Sequence, residues 1–204
     1  MDFFTEFPTM EREDLRDFKK FIDLAFRTFA RAYGEVLESF FHPLLVFLVW
    51  LEKLLINTPW PIIIAAIALL AWLGSRSLFL VIGTIISFLV IGYFGMWKDT
   101  MATMAIITVA TLVCISVGIP FGILMARSNR VQATILPILD MMQTIPSFVY
   151  LIPIIMLLGI GKVPGLIAVC IYALPPIVRL TNLGIREVDK EALEAIDSFG
   201  ATTW

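Results

Sequence analysis

Apolar residues fall in long runs along most of the chain, and short polar breaks separate these runs. This pattern predicts helices that cross a membrane. The predicted spans are 60–73, 78–96, 101–126, 131–160 and 166–182. The first is short, about 21 Å at 1.5 Å per residue, against a hydrocarbon core of about 30 Å. The pattern therefore predicts an all-α, polytopic membrane helical bundle.

Residues 1–56 differ from the rest, because they hold seven of the 15 basic and ten of the 17 acidic residues. Their apolar residues keep helical spacing, which predicts an amphipathic helix. Pro43 is expected to break this helix after His42, since proline disfavours the helical state in the residue before it. Residues 44–56 contain Glu52 and Lys53 and are predicted to be too short and too charged to cross, so the region is interpreted as extracytoplasmic and interfacial.

The last segment, 189–200, is charged and amphipathic. Asp189 is placed to cap a helix, because its carboxylate can accept the unpaired N–H groups of the first turn. Ala195, Ile196 and Phe199 fall on one face, and Gly200 is a typical helix-ending residue. The neighbouring face is acidic, which argues against anionic lipid as the partner. Docking on another protein is the favoured interpretation, and a simple interfacial anchor is the alternative.

Composition supports the membrane assignment. Hydrophobic residues make up 59% of the 204 residues and charged residues 16%, and the mean hydropathy is +0.92. The net charge of −2 suggests no role with nucleic acid. Cys114 and Cys170 lie inside apolar runs and are interpreted as small buried hydrophobes rather than a disulfide.

The distribution of basic residues predicts the orientation. With the terminal helix in the cytoplasm, six basic residues lie inside and three outside, which agrees with the positive-inside rule. The inner set is Arg76, Arg127, Arg130, Arg179, Arg186 and Lys190, and the outer set is Lys53, Lys98 and Lys162. Five spans then place the N-terminus outside the cytoplasm.

Two features inside the spans are candidates for function. Gly118 and Gly122 form a small-xxx-small pattern, for which close helix packing is the favoured interpretation. The span 131–160 contains three prolines, which lipid tolerates only where the freed carbonyls face protein or water. It also holds Asp140, which is predicted either to form a structural pair with Arg179 or to mark a pathway.

No enzyme chemistry is visible in the sequence. The glycines and lysine at 159–162 lack the spacing of a phosphate-binding loop. His42 has no evident metal-binding partners, so no metal site is expected, and no cofactor is expected in this chain. If transport uses ATP, the ATPase is expected to be a separate chain.

Several motifs carry a resemblance to a known family. Glu194, Ala195 and Ile196, followed by Gly200, resemble the EAA-xxx-G signature of permease subunits of type I binding-protein-dependent ABC importers, with Ile196 in place of the second alanine. The segments 118–122 (GIPFG) and 139–153 (LDMMQTIPSFVYLIP) are similar to those of glycine betaine/proline betaine permeases. The likeness covers about residues 97–204. It implies a permease core at 98–204, a pair of accessory transmembrane helices at 57–97, and a location in the bacterial inner membrane.

The resemblance implies a type I importer permease fold, in which 189–200 is the coupling helix that sits in a groove of the ATPase. The implied coupling residues are Glu191, Glu194, Ala195, Ile196 and Gly200. The candidates for the pathway or its gate are Asp140, Gln143, Pro146, Phe148 and Tyr150. The implied partners are a dimer of nucleotide-binding ATPase subunits that carry ATP and Mg²⁺, a second copy of the permease, membrane lipids, and an extracytoplasmic binding protein or fused domain.

The implied substrate is a quaternary ammonium osmoprotectant such as glycine betaine; choline, carnitine and trimethylamine N-oxide are alternatives. A secondary transporter and a membrane scaffold without a pathway are alternatives of a different class. The family's signature continues beyond Trp204 and is followed by two more spans. The chain is therefore expected to be truncated after the coupling helix, or to be a natural fragment that cannot transport alone.

Overall fold

The computed structural model describes residues 11–200, apart from the side chains of residues 30, 31, 35, 190, 192, 193 and 197. The described residues form eight α-helices joined by short connections, as the all-α prediction requires. In chain order they are α1 Arg12–Asn57, α2 Trp60–Ser75, α3 Leu78–Tyr93, α4 Trp97–Arg127, α5 Asn129–Thr144, α6 Ser147–Leu158, α7 Lys162–Arg186 and α8 Lys190–Ser198.

Helix α1 is continuous for 46 residues and passes through Pro43, so the predicted break after His42 was wrong. A proline inside a helix removes one backbone hydrogen bond, and packing beyond it holds the helix together. Leu48 is fully buried against Val109 of α4 and Leu166 of α7. The segment Val36–Asn57 is long and apolar enough to cross a membrane. Residues 44–56 therefore end a longer apolar segment than the sequence pattern indicated, and their interfacial placement stays a prediction.

Helices α2 and α3 form a hairpin and contain 16 residues each. At 1.5 Å per residue each is about 24 Å long, and α3 ends three residues before the predicted end of its span. In the turn between them, Arg76 adopts a left-handed backbone with φ 53°. The crossing of the membrane by these two shorter helices stays a prediction.

Helices α4 and α7 make the most extensive helix contact of the structure and run in the same direction. The two glycines of the small-xxx-small pattern lie at this contact. A methyl group on Gly118 would lie 2.8 Å from Ile177 Cγ2, and one on Gly122 would lie 2.5 Å from Thr181 Cβ. The predicted close approach is thus confirmed, since a larger residue at either position would collide with α7.

The two cysteines face each other across the same contact without forming a disulfide. Cys114 is buried, and its thiol lies 3.6 Å from the backbone carbonyl of Cys170. Cys114 is buried as predicted, whereas Cys170 is only partly buried.

The predicted span 131–160 is not one helix. Helices α5 and α6 meet at an angle of 89° across Ile145 and Pro146, so they form either a broken span or a re-entrant loop. The physical cause lies in Pro146, which forces Ile145 into an extended backbone with φ −74° and ψ 124°. Three described helices or helix segments and this bent pair have the length and hydropathy to cross a membrane.

Candidate functional site

The amphipathic segment at the end of the chain forms helix α8, with the predicted signals at both ends. The Asp189 carboxylate accepts a hydrogen bond from the backbone N–H of Glu191 at 2.9 Å, in the geometry of a helix cap. Beyond the helix, Gly200 has φ +77°. This left-handed conformation costs glycine little and strains a residue that carries a Cβ.

Within the described part of the chain, the apolar residues Ile196 and Phe199 at the end of α8 are uncovered. Phe199 is 91% exposed and Ile196 is 53% exposed. Ala195, Glu191 and Glu194 are exposed as well. All five implied coupling residues therefore lie on a surface that the described part of the chain leaves open.

The pathway candidates gather around the bend between α5 and α6. Asp140 and Gln143 lie in the last turns of α5, Pro146 lies in the bend, and Phe148 and Tyr150 lie in the first turn of α6. Phe148 is 71% exposed, and Tyr150 is partly buried. These residues lie within eleven positions of one another in the chain, on either side of the bend.

Asp140 and Arg179 meet as an ion pair that joins α5 to α7. Their side chains are 60% and 36% exposed in this chain. The hydroxyl of Thr144 donates to the backbone carbonyl of Asp140 at 2.9 Å, which stabilises the last turn of α5 before the bend. The pair therefore fixes the orientation of the helix that leads into the bend.

Two further polar contacts were missed by sequence reasoning. Lys162, the first residue of α7, forms an ion pair with Glu52 of α1, whose side chain is only 14% exposed. Arg186, the last residue of α7, donates hydrogen bonds to groups on α4, α5 and α7. No local sequence signal could have found the first contact, because its partners lie 110 positions apart. The position of Arg186 at a predicted inner boundary was the only available signal for the second.

A cavity lies elsewhere, in the region where the α1–α2 turn meets α3 and the start of α4. Its volume is about 630 Å³, and aromatic residues line it, including Trp60, Phe88 and Trp97. None of the predicted pathway residues lines it.

Comparison with known proteins identifies a family match in the C-terminal part of the chain. Residues 118–204 match the family described as binding-protein-dependent transport system inner membrane component. This match begins at Gly118, one of the two glycines that contact α7, and includes the α5–α6 bend and α8.

Three relatives extend the likeness further toward the N-terminus. The glycine betaine/proline betaine transport system permease protein ProW of Escherichia coli is 48% identical over 74% of this chain and 42% of its own length. The glycine betaine/carnitine transport permease protein GbuB of Listeria monocytogenes is 43% identical over 72% of this chain and 52% of its own length. The glycine betaine transport system permease protein OpuAB of Bacillus subtilis is 36% identical over 96% of this chain and 67% of its own length.

The chain thus spans about half the length of the first two relatives and two thirds of the third. Its helices also agree with the helical membrane fold of these proteins. The chain belongs to the family of inner-membrane permease components of binding-protein-dependent transport systems, in the glycine betaine permease group.

Proposed function

We propose that the chain is the transmembrane permease part of an ATP-driven importer for glycine betaine, proline betaine or a closely related quaternary ammonium compound. The observation that carries the proposal is α8, an amphipathic helix with an uncovered apolar face, a capped start and a left-handed glycine at its end. The names of the relatives supply the substrate class. Carnitine is the second candidate substrate, because the name of GbuB includes it.

In this proposal α8 is the coupling helix. Ile196 provides apolar contact with a groove on the ATPase, Ala195 permits close approach, and Glu191 and Glu194 supply polar contacts at the rim. ATP and Mg²⁺ are bound by the ATPase, so the role of this chain is mechanical: it transmits movement between the ATPase and the membrane helices.

The translocation pathway is proposed to pass the bend between α5 and α6. A bend of 89° leaves backbone groups without helical partners, and a membrane protein tolerates such groups where they face protein or water. Asp140, Gln143, Pro146, Phe148 and Tyr150 lie at this place. A second permease copy would face the exposed sides of α5 and α6 and close the pathway, and an extracytoplasmic binding protein or fused domain would deliver the substrate.

The orientation is proposed to place α8 in the cytoplasm. Single cysteines at Ser77 and Arg130 should react with a membrane-impermeant reagent only from inside, and one at Lys162 only from outside. Labelling of Lys162 from the cytoplasm would contradict the orientation and the docking of α8 together.

The N-terminus is proposed to be extracytoplasmic, and this depends on how Val36–Asn57 lies. If this segment runs along the membrane surface, five crossings place the N-terminus outside; if it crosses, six place it in the cytoplasm. A cysteine at Leu15, which is 42% exposed, distinguishes the two: labelling from outside supports the proposal, and labelling only from inside contradicts it.

The coupling role is tested in a full-length permease assembled with its ATPase and reconstituted in vesicles. Gly200→Val and Ala195→Trp should leave membrane insertion intact while loaded binding protein no longer stimulates ATP hydrolysis or uptake. The valine is strained at φ +77°, at a cost of roughly 1–2 kcal/mol, and the tryptophan blocks close approach. Glu194→Ala should be milder, because an exposed ion pair contributes only about 0.2–1 kcal/mol.

Gly95→Val is the matched control for the strain argument. Gly95 has φ +75° with nothing within 4 Å of a Cβ, as at Gly200, but it lies in the turn before α4. It should therefore cost similar stability without uncoupling transport. Tightly coupled uptake by both α8 variants would mean that α8 only anchors the chain to the membrane.

A further inference from the structure

Arg186 connects three helices at one point. Its Nη2 donates to the backbone carbonyl of Met125 at 2.9 Å and to Oδ1 of Asn129 at 2.8 Å. Its Nε donates to Oδ1 of Asn182 at 3.1 Å. Met125 lies in the last turns of α4, Asn129 is the first residue of α5, and Asn182 is one turn back on α7. One guanidinium therefore holds the α4–α5 junction against the end of α7.

Arg186 lies at the end of α7, directly before the short connection to α8. It is the last residue of α7, and Asp189, which caps α8, follows three residues later. The connection between the two helices is too short to absorb a large movement. A displacement of α8 is therefore passed first to Arg186 and, through it, to Asn129 and Met125.

The chemistry of the contact requires arginine. A helix leaves its last carbonyls without helical partners and carries partial negative charge at that end, which favours a cation beside Met125. The planar guanidinium donates in several fixed directions at once, whereas a lysine ammonium is a point charge on a flexible stem. Asn182 is 7% exposed, so its carboxamide is held in place and orients the guanidinium.

A second contact attaches α5 to α7 at a different level. Arg179 lies seven residues before Arg186, or two helical turns, and pairs with Asp140 near the other end of α5. Helix α5 is thus tied to α7 at both of its ends. The 89° bend follows about one turn after the Asp140–Arg179 pair and leads into α6, which also packs against α7.

We propose that Arg186 is a positioning residue that fixes the start of the coupling helix to the α4–α5 junction, so that α5, α7 and α8 move as one unit. The inference rests on the proposed coupling function of α8 and adds the route by which its movement reaches the bend. A purely structural role would make Arg186 necessary for folding and irrelevant to the ratio of stimulated to basal ATP hydrolysis.

The test compares three variants of the full-length permease assembled with its ATPase and binding protein. Arg186→Gln should lower the stimulation of ATP hydrolysis by loaded binding protein about tenfold, because charge-assisted hydrogen bonds to two helices are lost. Arg186→Lys should lower it similarly, since charge alone cannot make the contacts. Arg130→Gln is the control: it removes the same charge from an exposed position on α5 and should leave stimulation unchanged.

A distance measurement tests the link without relying on transport. Spin labels at the exposed residues Ala133 of α5 and Ser198 of α8 report how firmly the two helices are connected. Arg186→Gln should broaden their distance distribution, and Arg130→Gln should not. Should Arg186→Gln fail to assemble, Asn129→Ala removes one acceptor and should give a smaller broadening and about a threefold loss of stimulation.

Full stimulation in Arg186→Gln, full rescue by Arg186→Lys, or equal loss in Arg130→Gln would overturn the inference. If the unmodified complex itself shows no stimulation, the proposed coupling function fails instead. In that case the distance distributions still decide whether Arg186 holds α8 to α5.

Discussion

The α4–α7 pair and the α2–α3 hairpin are both strongly apolar, yet they pack in opposite ways. Helix α4 buries eight residues within the described part of the chain, among them Gly118 and Gly122. Helix α2 buries two, Ile63 and Ile64, and none of the residues of α3 is buried. In the hairpin most large apolar side chains point away from the rest of the chain.

The difference shows that apolar content does not decide which helices associate in a membrane. Lipid tails are as apolar as leucine, so helices gain from contact through shape and close approach rather than through removal from water. Glycines on α4 provide that approach, and the hairpin has no comparable contact. Its outward residues are suited to lipid or to another protein chain.

The largest expected effect comes from placing a bulky side chain at Gly122, where α4 contacts α7 most closely. Gly122→Leu would force side-chain atoms against Thr181 and the backbone carbonyl of Val178, which lies 2.9 Å from the position of a Cβ. Overpacking of this kind costs about 3 kcal/mol. Thermal unfolding of the purified permease in detergent should show a clear loss of stability.

Gly83→Leu on α3 is the matched control, because nothing lies within 4 Å of a Cβ at Gly83. Its stability should change by less than about 1 kcal/mol, the range of helix propensities. Equal losses in the two variants would show that the hairpin is as closely packed as the α4–α7 pair, and the contrast would fail.

A smaller effect is expected when a core side chain is shortened. Leu48 of α1 is fully buried against α4 and α7, and Leu48→Ala leaves a cavity. The cost should be about 2 kcal/mol, at the low end for such changes, because lipid lowers the transfer contribution. Leu80→Ala on α3, where the residue is 54% exposed, should cost far less in the same unfolding assay.

The smallest effect is expected from the ion pair between Asp140 and Arg179, whose side chains are both partly exposed. Asp140→Asn and Arg179→Gln should each cost about 1–2 kcal/mol, between the values for exposed and buried pairs. The partial exposure of both side chains keeps the expected cost below that of a fully buried pair. In a double-mutant cycle the losses should not add; strict additivity would mean that the contact contributes nothing.

Sequence reasoning succeeded where one residue type carries an unmistakable constraint. Glycines four residues apart indicated close packing, and Asp140 and Arg179 could be paired because charges inside apolar helices need partners. The capping aspartate and the helix-ending glycine located α8 within a residue or two.

The failures have physical causes that are not local. Pro43 was expected to end α1, but contacts made by Leu48 with distant helices outweigh the local cost of a proline. Pro146 was placed inside a span, and its effect on the direction of the chain could not be read from hydropathy. The contacts of Arg186 with Met125 and Asn129 depend on how three helix ends meet in space. The contact with Met125 is to its backbone carbonyl, a group that every residue type carries, so the sequence gives no signal for it.

The two glycine notches on α4 have a mechanical consequence. Gly118 receives Ile177 and Gly122 receives Thr181, and both pairs are spaced by four residues. The side chains of α7 therefore pack into the spaces above the glycines of α4. A shift of α7 along α4 by four residues, about 6 Å at 1.5 Å per residue, would be needed to restore the same pattern. Closely packed interfaces switch between discrete arrangements rather than deform smoothly. Small displacements along the helix axes are thus resisted. Helices α4 and α7 should therefore move together as one rigid body, with changes of angle confined to the connections with other helices.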